Sequence, residues 1–271
     1  MKEFRGRVAV VTGAASGIGL ALCQRFAAEG MHVVMADLKD SALEESAAKL
    51  RSAVPGAQVL TQPTDVRRWE DVQALAAATK AKFGGAHVVC NNAGVRTMGK
   101  IWNVSLEDWR WVIDIDLWGV IYGMKAFLPD MIARGEPGHI VNTASAAGLL
   151  AMSDNGPYTA AKFGVVGVSE SLIMELREEG APIGVSVLCP GRVPTNIRAN
   201  SNKRRPSGEP VTSRPNNEGS RIVQTDEVAG MVFNAIRDDR FWILTHPEMG
   251  VLVDKRARGI LETDEIVKMT L

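Results

Sequence analysis

The stretch Val8-Ala9-Val10-Val11-Thr12-Gly13-Ala14-Ala15-Ser16-Gly17-Ile18-Gly19 decides the fold. Its first four residues are continuously apolar and read as a fully buried strand. A Gly-rich turn follows, and Ile18 to Glu29 reads as a helix stopped by Gly30. Glycines allow a sharp turn and a close approach of a pyrophosphate. The helix start offers unpaired N–H groups and a partial positive charge to that anion. The strand–turn–helix context that gives such a loop its meaning is present. A second strand, His32 to Asp37, ends in a carboxylate 18 residues past Gly19. A carboxylate there accepts hydrogen bonds from a ribose 2′-hydroxyl and repels a 2′-phosphate, which favours NAD over NADP. Lys39 lies close enough to soften that repulsion, and a plainer role for Asp37 is a helix cap before Ser41.

Outward from this unit the pattern repeats. Helices are expected over Ser41–Ser52, Asp71–Phe83, Tyr158–Glu179 and Asp226–Asp238. A longer helix is expected from Ser105, with Asp108 in the capping-box position, to about Ala133. Strands are expected at Ala57–Leu60, Ala86–Cys90, Ile140–Thr143, Gly184–Leu188 and Phe241–Leu244. Strands joined by helices pair in parallel, because a parallel neighbour needs a crossover. Helices then cover both faces, which explains why the strands are apolar throughout. The expected fold class is α/β, a single doubly wound parallel sheet forming one domain over residues 1–271. The polar segment Arg198–Arg221 breaks the pattern and reads as a long mobile loop. With Asn196 and Ile197 it is a candidate lid at about 196–221, and residues 245–271 form a tail.

Composition removes several function classes. The 271 residues carry 31 Lys+Arg and 31 Asp+Glu, so the chain lacks the basic footprint of a nucleic-acid binder. A hydrophobic share of 46% with 23% charged residues is that of a globular chain. Cys23, Cys90 and Cys189 are too few for a disulfide framework or a zinc site and fit a reducing cytoplasm. His32, His87, His139 and His246 show no metal-ligand spacing, so no metal is expected. No apolar run approaches a membrane span.

Further motifs follow the later strands. Asp65-Val66 comes after the third, Asn91-Asn92-Ala93-Gly94 closes the fourth, and Ser145 follows the fifth. Tyr158 and Lys162 form Tyr-x-x-x-Lys, 13 residues after Ser145. Pro190-Gly191, with Val193 and Thr195, ends the sixth. Together with Thr-Gly-x-x-x-Gly-x-Gly, this order resembles the short-chain dehydrogenase/reductase family over roughly Gly6 to Thr195. The resemblance implies a Rossmann fold binding NAD. It carries cofactor contacts onto Gly13, Ser16, Gly17, Ile18, Gly19, Asp37, Leu38, Asp65, Val66, Asn92, Ala93, Gly94, Tyr158, Lys162, Pro190, Gly191, Val193 and Thr195. It also implies a homodimer or homotetramer built on the long helix, where Trp109, Trp111 and Trp118 lie.

The chemistry suits these residue types. Oxidising a secondary alcohol sends a hydride to a nicotinamide and a proton to a base. A phenol is a poor base near neutrality, and a neighbouring ammonium stabilises its anion. Tyr158 and Lys162, four apart on a helix, share a face. Ser145 can donate to the substrate oxygen as its charge develops. Lys162, by resemblance, also holds the nicotinamide ribose. One position departs: where the family has Asn-Leu-x-Gly, this chain has Asp116-Leu117-Trp118-Gly119. The resemblance makes Asp116 a candidate relay element, one that accepts a hydrogen bond from a water but offers no amide donor.

Leu149, Leu150, Met152 and nearby Trp residues suggest an apolar pocket, with 146–155 as a wall. The expected substrate is a bulky apolar alcohol or ketone, terpenoid, steroid-like or aromatic. Lys203-Arg204-Arg205 reads as a solvated run rather than an anion site. Two rival readings are an NADPH-dependent carbonyl reductase and a dinucleotide-sensing protein without turnover.

Overall fold

A computed structural model describes residues 1–39, 41–210 and 221–267. Within them the chain alternates β1 (Val8–Thr12), α1 (Gly17–Ala28), β2 (His32–Asp37), α2 (Leu43–Ala53), β3 (Val59–Pro63), α3 (Trp69–Phe83) and β4 (Val88–Asn91). It continues through α4 (Leu106–Ile113), a π-turn (Asp114–Trp118), α5 (Gly119–Arg134), β5 (Gly138–Thr143), α6 (Gly156–Glu178) and β6 (Ile183–Cys189). The last elements are α7 (Ile197–Arg204), α8 (Thr225–Asp238), β7 (Trp242–Leu244) and α9 (Gly250–Arg258).

The described residues build one sheet in the order β3-β2-β1-β4-β5-β6-β7. Every pairing is parallel, with Val10 opposite Val34 on one side and Val89 on the other. All five residues of β1 are buried, as a strand covered on both faces requires. One face carries α1 and α8, with Leu22, Phe26, Val232 and Ile236 in its core. The other carries α3, α5 and α6, with Leu75, Phe127, Val165 and Leu176. Each such side chain contributes about 1.5–3 kcal/mol on leaving water. The chain reverses direction across the sheet between β1 and β4, and ligands of doubly wound sheets lie in the crevice at that switch.

The expected strand and helix order is the observed one, with differences that have local causes. The third strand begins at Val59 and extends to Pro63, because it pairs with β2 through Asp37. The single helix expected from Ser105 is instead α4, the π-turn and α5, with Pro129 inside the latter. Its start is as expected: Ser105 Oγ accepts from Asp108 N at 3.1 Å. The expected loop at 198–221 contains α7, so its first part is not irregular. Residues 211–220 of that segment lie outside the described residues. Asp37 caps no helix, since α2 begins at Leu43 behind Ala42. No described helix is long and apolar enough to cross a membrane.

Candidate active site

The glycine turn is bound to the neck of β4. Thr12 Oγ1 accepts from Asn92 N at 2.9 Å and Ala93 N at 3.1 Å, and Asn92 Nδ2 donates to Thr12 O at 3.0 Å. This closeness needs glycine. A Cβ on Gly13, whose φ is +67°, would sit 2.9 Å from Ala93 Cα. A Cβ on Gly19 would collide with the Gly13 carbonyl oxygen. Ser16, at the start of α1, makes no side-chain cap, so the first N–H groups of the helix stay open. Asp37 Oδ2 accepts from Ala15 N at 2.9 Å and Oδ1 from Leu38 N at 2.8 Å. Burial pushes the Asp37 carboxyl up, against the pull of those two N–H groups.

A cavity of about 1210 Å³ runs along the carboxyl ends of the strands. Gly13, Ser16, Gly17 and Ile18 line it, as do Asp37, Leu38, Asp65, Val66 and the Asn92-Ala93-Gly94 segment. Pro190, Gly191, Val193 and Thr195 close the β6 side, and Ser145, Tyr158 and Lys162 face the same space. Two sequence candidates do not. Gly19 lies beneath Gly13 and sets the turn. Asp116 is fully buried behind Lys162. The Asp65 carboxylate is held by Arg67 at 2.6 Å.

Tyr158 and Lys162 stand one turn apart on α6, with Lys162 Nζ 5.4 Å from the phenol ring centre. The ammonium is buried and fixed. It donates to Thr143 O at 2.9 Å and lies 3.1 Å from Asp116 Oδ2. Burial alone would pull that ammonium down, but the facing Asp116 carboxylate holds it above the ordinary lysine value. Burial in turn pushes the Asp116 carboxyl up, against Lys162 and the Val95 N–H. The π-turn carries Asp116, and its Oδ1 accepts from Val95 N at 2.8 Å. Ser145 does two things. Its Oγ accepts from Ala147 N at 3.1 Å, capping a short turn, and donates a long 3.5 Å bond to Pro190 O. That long bond is easily exchanged for a better acceptor.

The substrate end differs from the sequence expectation. Met152, Asn155, Trp111, Ile115 and Met98 line it. Leu150 is fully buried and packs with Leu149 against Ala146, Ala147 and Met249 from the tail, so these leucines support the wall rather than form its surface. Leu252, Val253 and Val267 of the tail join that packing next to Tyr158 and Met152. Trp111 is cavity wall and intrachain core, packed with Val112 and Ala161. Of Trp109, Trp111 and Trp118, the last is the exposed one, at 44%.

The basic run is not a solvated face. Lys203 is exposed, but Arg204 lines the cavity and Arg205 is buried. Arg205 Nε donates to Asp108 Oδ2 at 2.8 Å, and both side chains are buried. Ser201 Oγ accepts from Arg96 N at 2.9 Å. These two contacts seat α7 on the cavity. Sequence reading missed Thr143, Arg96 and Ser201. Only Arg96 carried a signal, as it directly follows the Asn-Asn-Ala-Gly-Val segment. Among the described residues, no cluster of metal-ligating side chains occurs.

A doubly wound sheet with an open helix start at its switch point and a buried Lys–Tyr pair beside it defines an α/β oxidoreductase. The comparisons refine the class. Residues 7–206 match the family model for short chain dehydrogenases. A 1-deoxy-11-beta-hydroxypentalenate dehydrogenase of Streptomyces exfoliatus is 39% identical over 91% of this chain and 85% of its own length. A C alpha-dehydrogenase of Sphingobium sp. is 32% identical over 97% of this chain and 88% of its own. A short-chain dehydrogenase/reductase from Burkholderia phymatum, solved in complex with NAD, superposes with a TM-score of 0.90 at 38% identity, covering 100% of this chain and 99% of that one. The chain belongs to the short-chain dehydrogenase/reductase family and is an oxidoreductase.

Proposed function

We propose that the protein interconverts a secondary alcohol and a ketone with NAD(H), on a substrate with a bulky apolar skeleton. The observation that carries this reading is the fixed Lys162 ammonium 5.4 Å from the Tyr158 ring, facing the cavity that the glycine turn opens onto.

The residues present fit a dinucleotide. The turn leaves a cradle that a Cβ at Gly13 would fill, and the start of α1 leaves its N–H groups open. Asp37, at the tip of β2, is placed to accept from ribose hydroxyls and would repel a 2′-phosphate, which supports NAD over NADP. Gly13, Ser16, Gly17 and Ile18 would receive the pyrophosphate, Asp65 and Val66 the adenine side, and Asn92, Ala93, Gly94, Pro190, Gly191, Val193 and Thr195 the remainder. When bound, the nicotinamide accepts or returns the hydride.

The chain supplies the rest of the chemistry. Tyr158 Oη, as phenolate favoured by the Lys162 ammonium, accepts the proton of the substrate hydroxyl while the carbon loses its hydride and the C=O forms. Ser145 Oγ–H gives up its long contact with Pro190 and donates to the same substrate oxygen. Thr143 O and Asp116 keep Lys162 charged and pointed at the phenol. Asp116 is a positioning residue here, since it does not reach the cavity. The apolar wall of Trp111, Ile115, Met98 and Met152 supports a bulky substrate. The hydroxyl-bearing compound named for the Streptomyces relative agrees with that class. We read residues 1–271 as one domain with α7 as the fixed part of a lid. The half-exposed Trp118, against Tyr122 on α5, supports an assembly of two or four chains.

Tyr158→Phe tests the reading directly. It removes the proton acceptor without altering the ring's packing. Turnover of a secondary-alcohol panel should fall by at least about 10²-fold, while NAD⁺ still quenches tryptophan fluorescence. Full turnover in that variant would overturn the assignment.

A further inference from the structure

The wall beside Tyr158 holds a cation without a counter-ion among the described residues. Arg96 lines the cavity, and its Cζ lies 6.0 Å from the centre of the Tyr158 ring. Its Nε is shielded from solvent and has no hydrogen-bond partner among the described residues. No ion pair to Arg96 occurs among them either. The carboxylates that line the same cavity are committed elsewhere: Asp37 to the N–H groups of Ala15 and Leu38, Asp65 to Arg67. The backbone of Arg96 is fixed, since its N–H donates to Ser201 of α7.

A second polar group waits on that wall. Asn155 is 1% exposed, lines the cavity, and its Oδ1 has no partner among the described residues. The segments that bear the two side chains run together, through a bridge between Gly99 and Asn155 and a bond from Gly99 N to Asp154 O. The remaining lining nearby is apolar: Trp111, Ile115, Met98 and Met152. The Arg96 side chain is half-buried, and a solvent-shielded guanidinium N–H without an acceptor carries a cost that a ligand's acceptor would remove. A guanidinium fork is matched in shape and charge by a carboxylate. Asn155 Nδ2 now makes only a weak 3.8 Å contact to Met152 Sδ, and rotation of the amide about its terminal bond exchanges that contact for a carboxylate oxygen.

We propose that Arg96, assisted by Asn155, is a specificity-determining residue that receives a carboxylate carried on the apolar skeleton, so that the substrate is a secondary hydroxy acid or the matching keto acid. This deepens the alcohol–ketone reading above and rests on it. The hydroxyl meets Ser145 and Tyr158, the skeleton lies against the tryptophan and methionine side chains, and the acid group ends on Arg96.

The test uses matched probes: 10-hydroxyoctadecanoate, lithocholate and 4-(1-hydroxyethyl)benzoate, each against its methyl ester, with the whole protein and NAD⁺. For at least one skeleton, kcat/KM should favour the acid over its ester by about 10- to 100-fold, the range of a charge-assisted hydrogen bond. Arg96→Leu should collapse that ratio toward one, and Arg96→Lys should retain part of it. Because the readout is a ratio within one protein sample, partial misfolding cannot mimic the loss. Equal use of acid and ester by the wild-type protein overturns the inference and leaves the dehydrogenase reading standing. So does an Arg96→Leu variant whose ratio is intact but whose NAD⁺ affinity or pH profile has moved, which would assign Arg96 to the cofactor or to Tyr158. Absence of turnover for every acid and ester, with NAD⁺ or NADP⁺, overturns both.

Discussion

Lys162 Nζ lies 3.1 Å from Asp116 Oδ2, and both side chains are buried. The pair sets the charge facing Tyr158. Removing that negative charge takes away what holds the Lys162 ammonium above the ordinary lysine value and leaves its positive charge uncompensated where it faces Tyr158. Asp116→Asn should therefore move the whole pH–rate profile of alcohol oxidation toward acid. A charge at this distance shifts neighbours by about one to three pH units. Asparagine keeps an oxygen for the Val95 N–H, so the backbone contact survives. The check is kcat/KM against pH for the wild-type protein and the variant; superimposable profiles would remove Asp116 from the proton chemistry.

Asp37 predicts cofactor choice. Two like charges close together cost several kcal/mol in a partly buried setting, so kcat/KM with NAD⁺ should exceed that with NADP⁺ by at least about tenfold. Asp37→Asn keeps an acceptor for Ala15 N and removes the charge. It should narrow the gap chiefly by improving NADP⁺. Titration of both proteins with both dinucleotides measures this. A preference unmoved by the substitution would place the discrimination elsewhere on the cavity wall.

Gly19→Ala tests the turn. The added methyl would meet the Gly13 carbonyl oxygen and the Asn92 amide, so the loop must shift. Overpacking of this kind costs about 1–3 kcal/mol. Because the shift occurs where the pyrophosphate would sit, NAD⁺ affinity should fall by more than about tenfold. Calorimetry of NAD⁺ binding and a denaturant titration report the two effects separately. Wild-type affinity in a folded variant would show that the turn does not form the phosphate cradle.

Much of this site was legible because its groups are close in sequence or sit at strand ends. Tyr158 and Lys162 meet on one helix face, and the glycine turn declares itself by lying between an apolar strand and a helix. Ser145 is found because it follows β5. What stayed hidden depends on distant partners. α7 has little apolar periodicity and reads as loop, yet it is seated by Ser201 on Arg96 and by Arg205 on Asp108, roughly a hundred positions away in the chain. Leu149 and Leu150 looked like pocket lining, but Met249 from the tail covers the surface they would have shown. The π-turn that carries Asp116 has no composition to mark it. A Trp-rich helix likewise does not say which rings face inward, and Trp111 and Trp118 turn opposite ways.

The Arg205–Asp108 pair gives a stability prediction with a definite sign. Burial alone would raise the Asp108 carboxyl, but Arg205 and the Ser207 N–H hold it below the usual carboxylate value. A group lowered in the folded state stabilises the protein above its unfolded pKa, about 3.9 for Asp. That contribution is lost as pH falls through the lower folded value. Arg205→Met strands the carboxylate in a buried site and should cost about 3 kcal/mol at pH 7, the low end for a buried pair broken on one side. The deficit should shrink on acidification toward pH 4, because the stranded carboxyl then takes up a proton. Arg205→Met combined with Asp108→Leu should recover most of the loss, since no buried charge remains. Urea titrations of the wild-type protein, Arg205→Met, Asp108→Leu and the double variant at pH 7 and pH 5 close the cycle. If the double variant were as unstable as the single one, packing of α7 rather than charge would hold that helix in place.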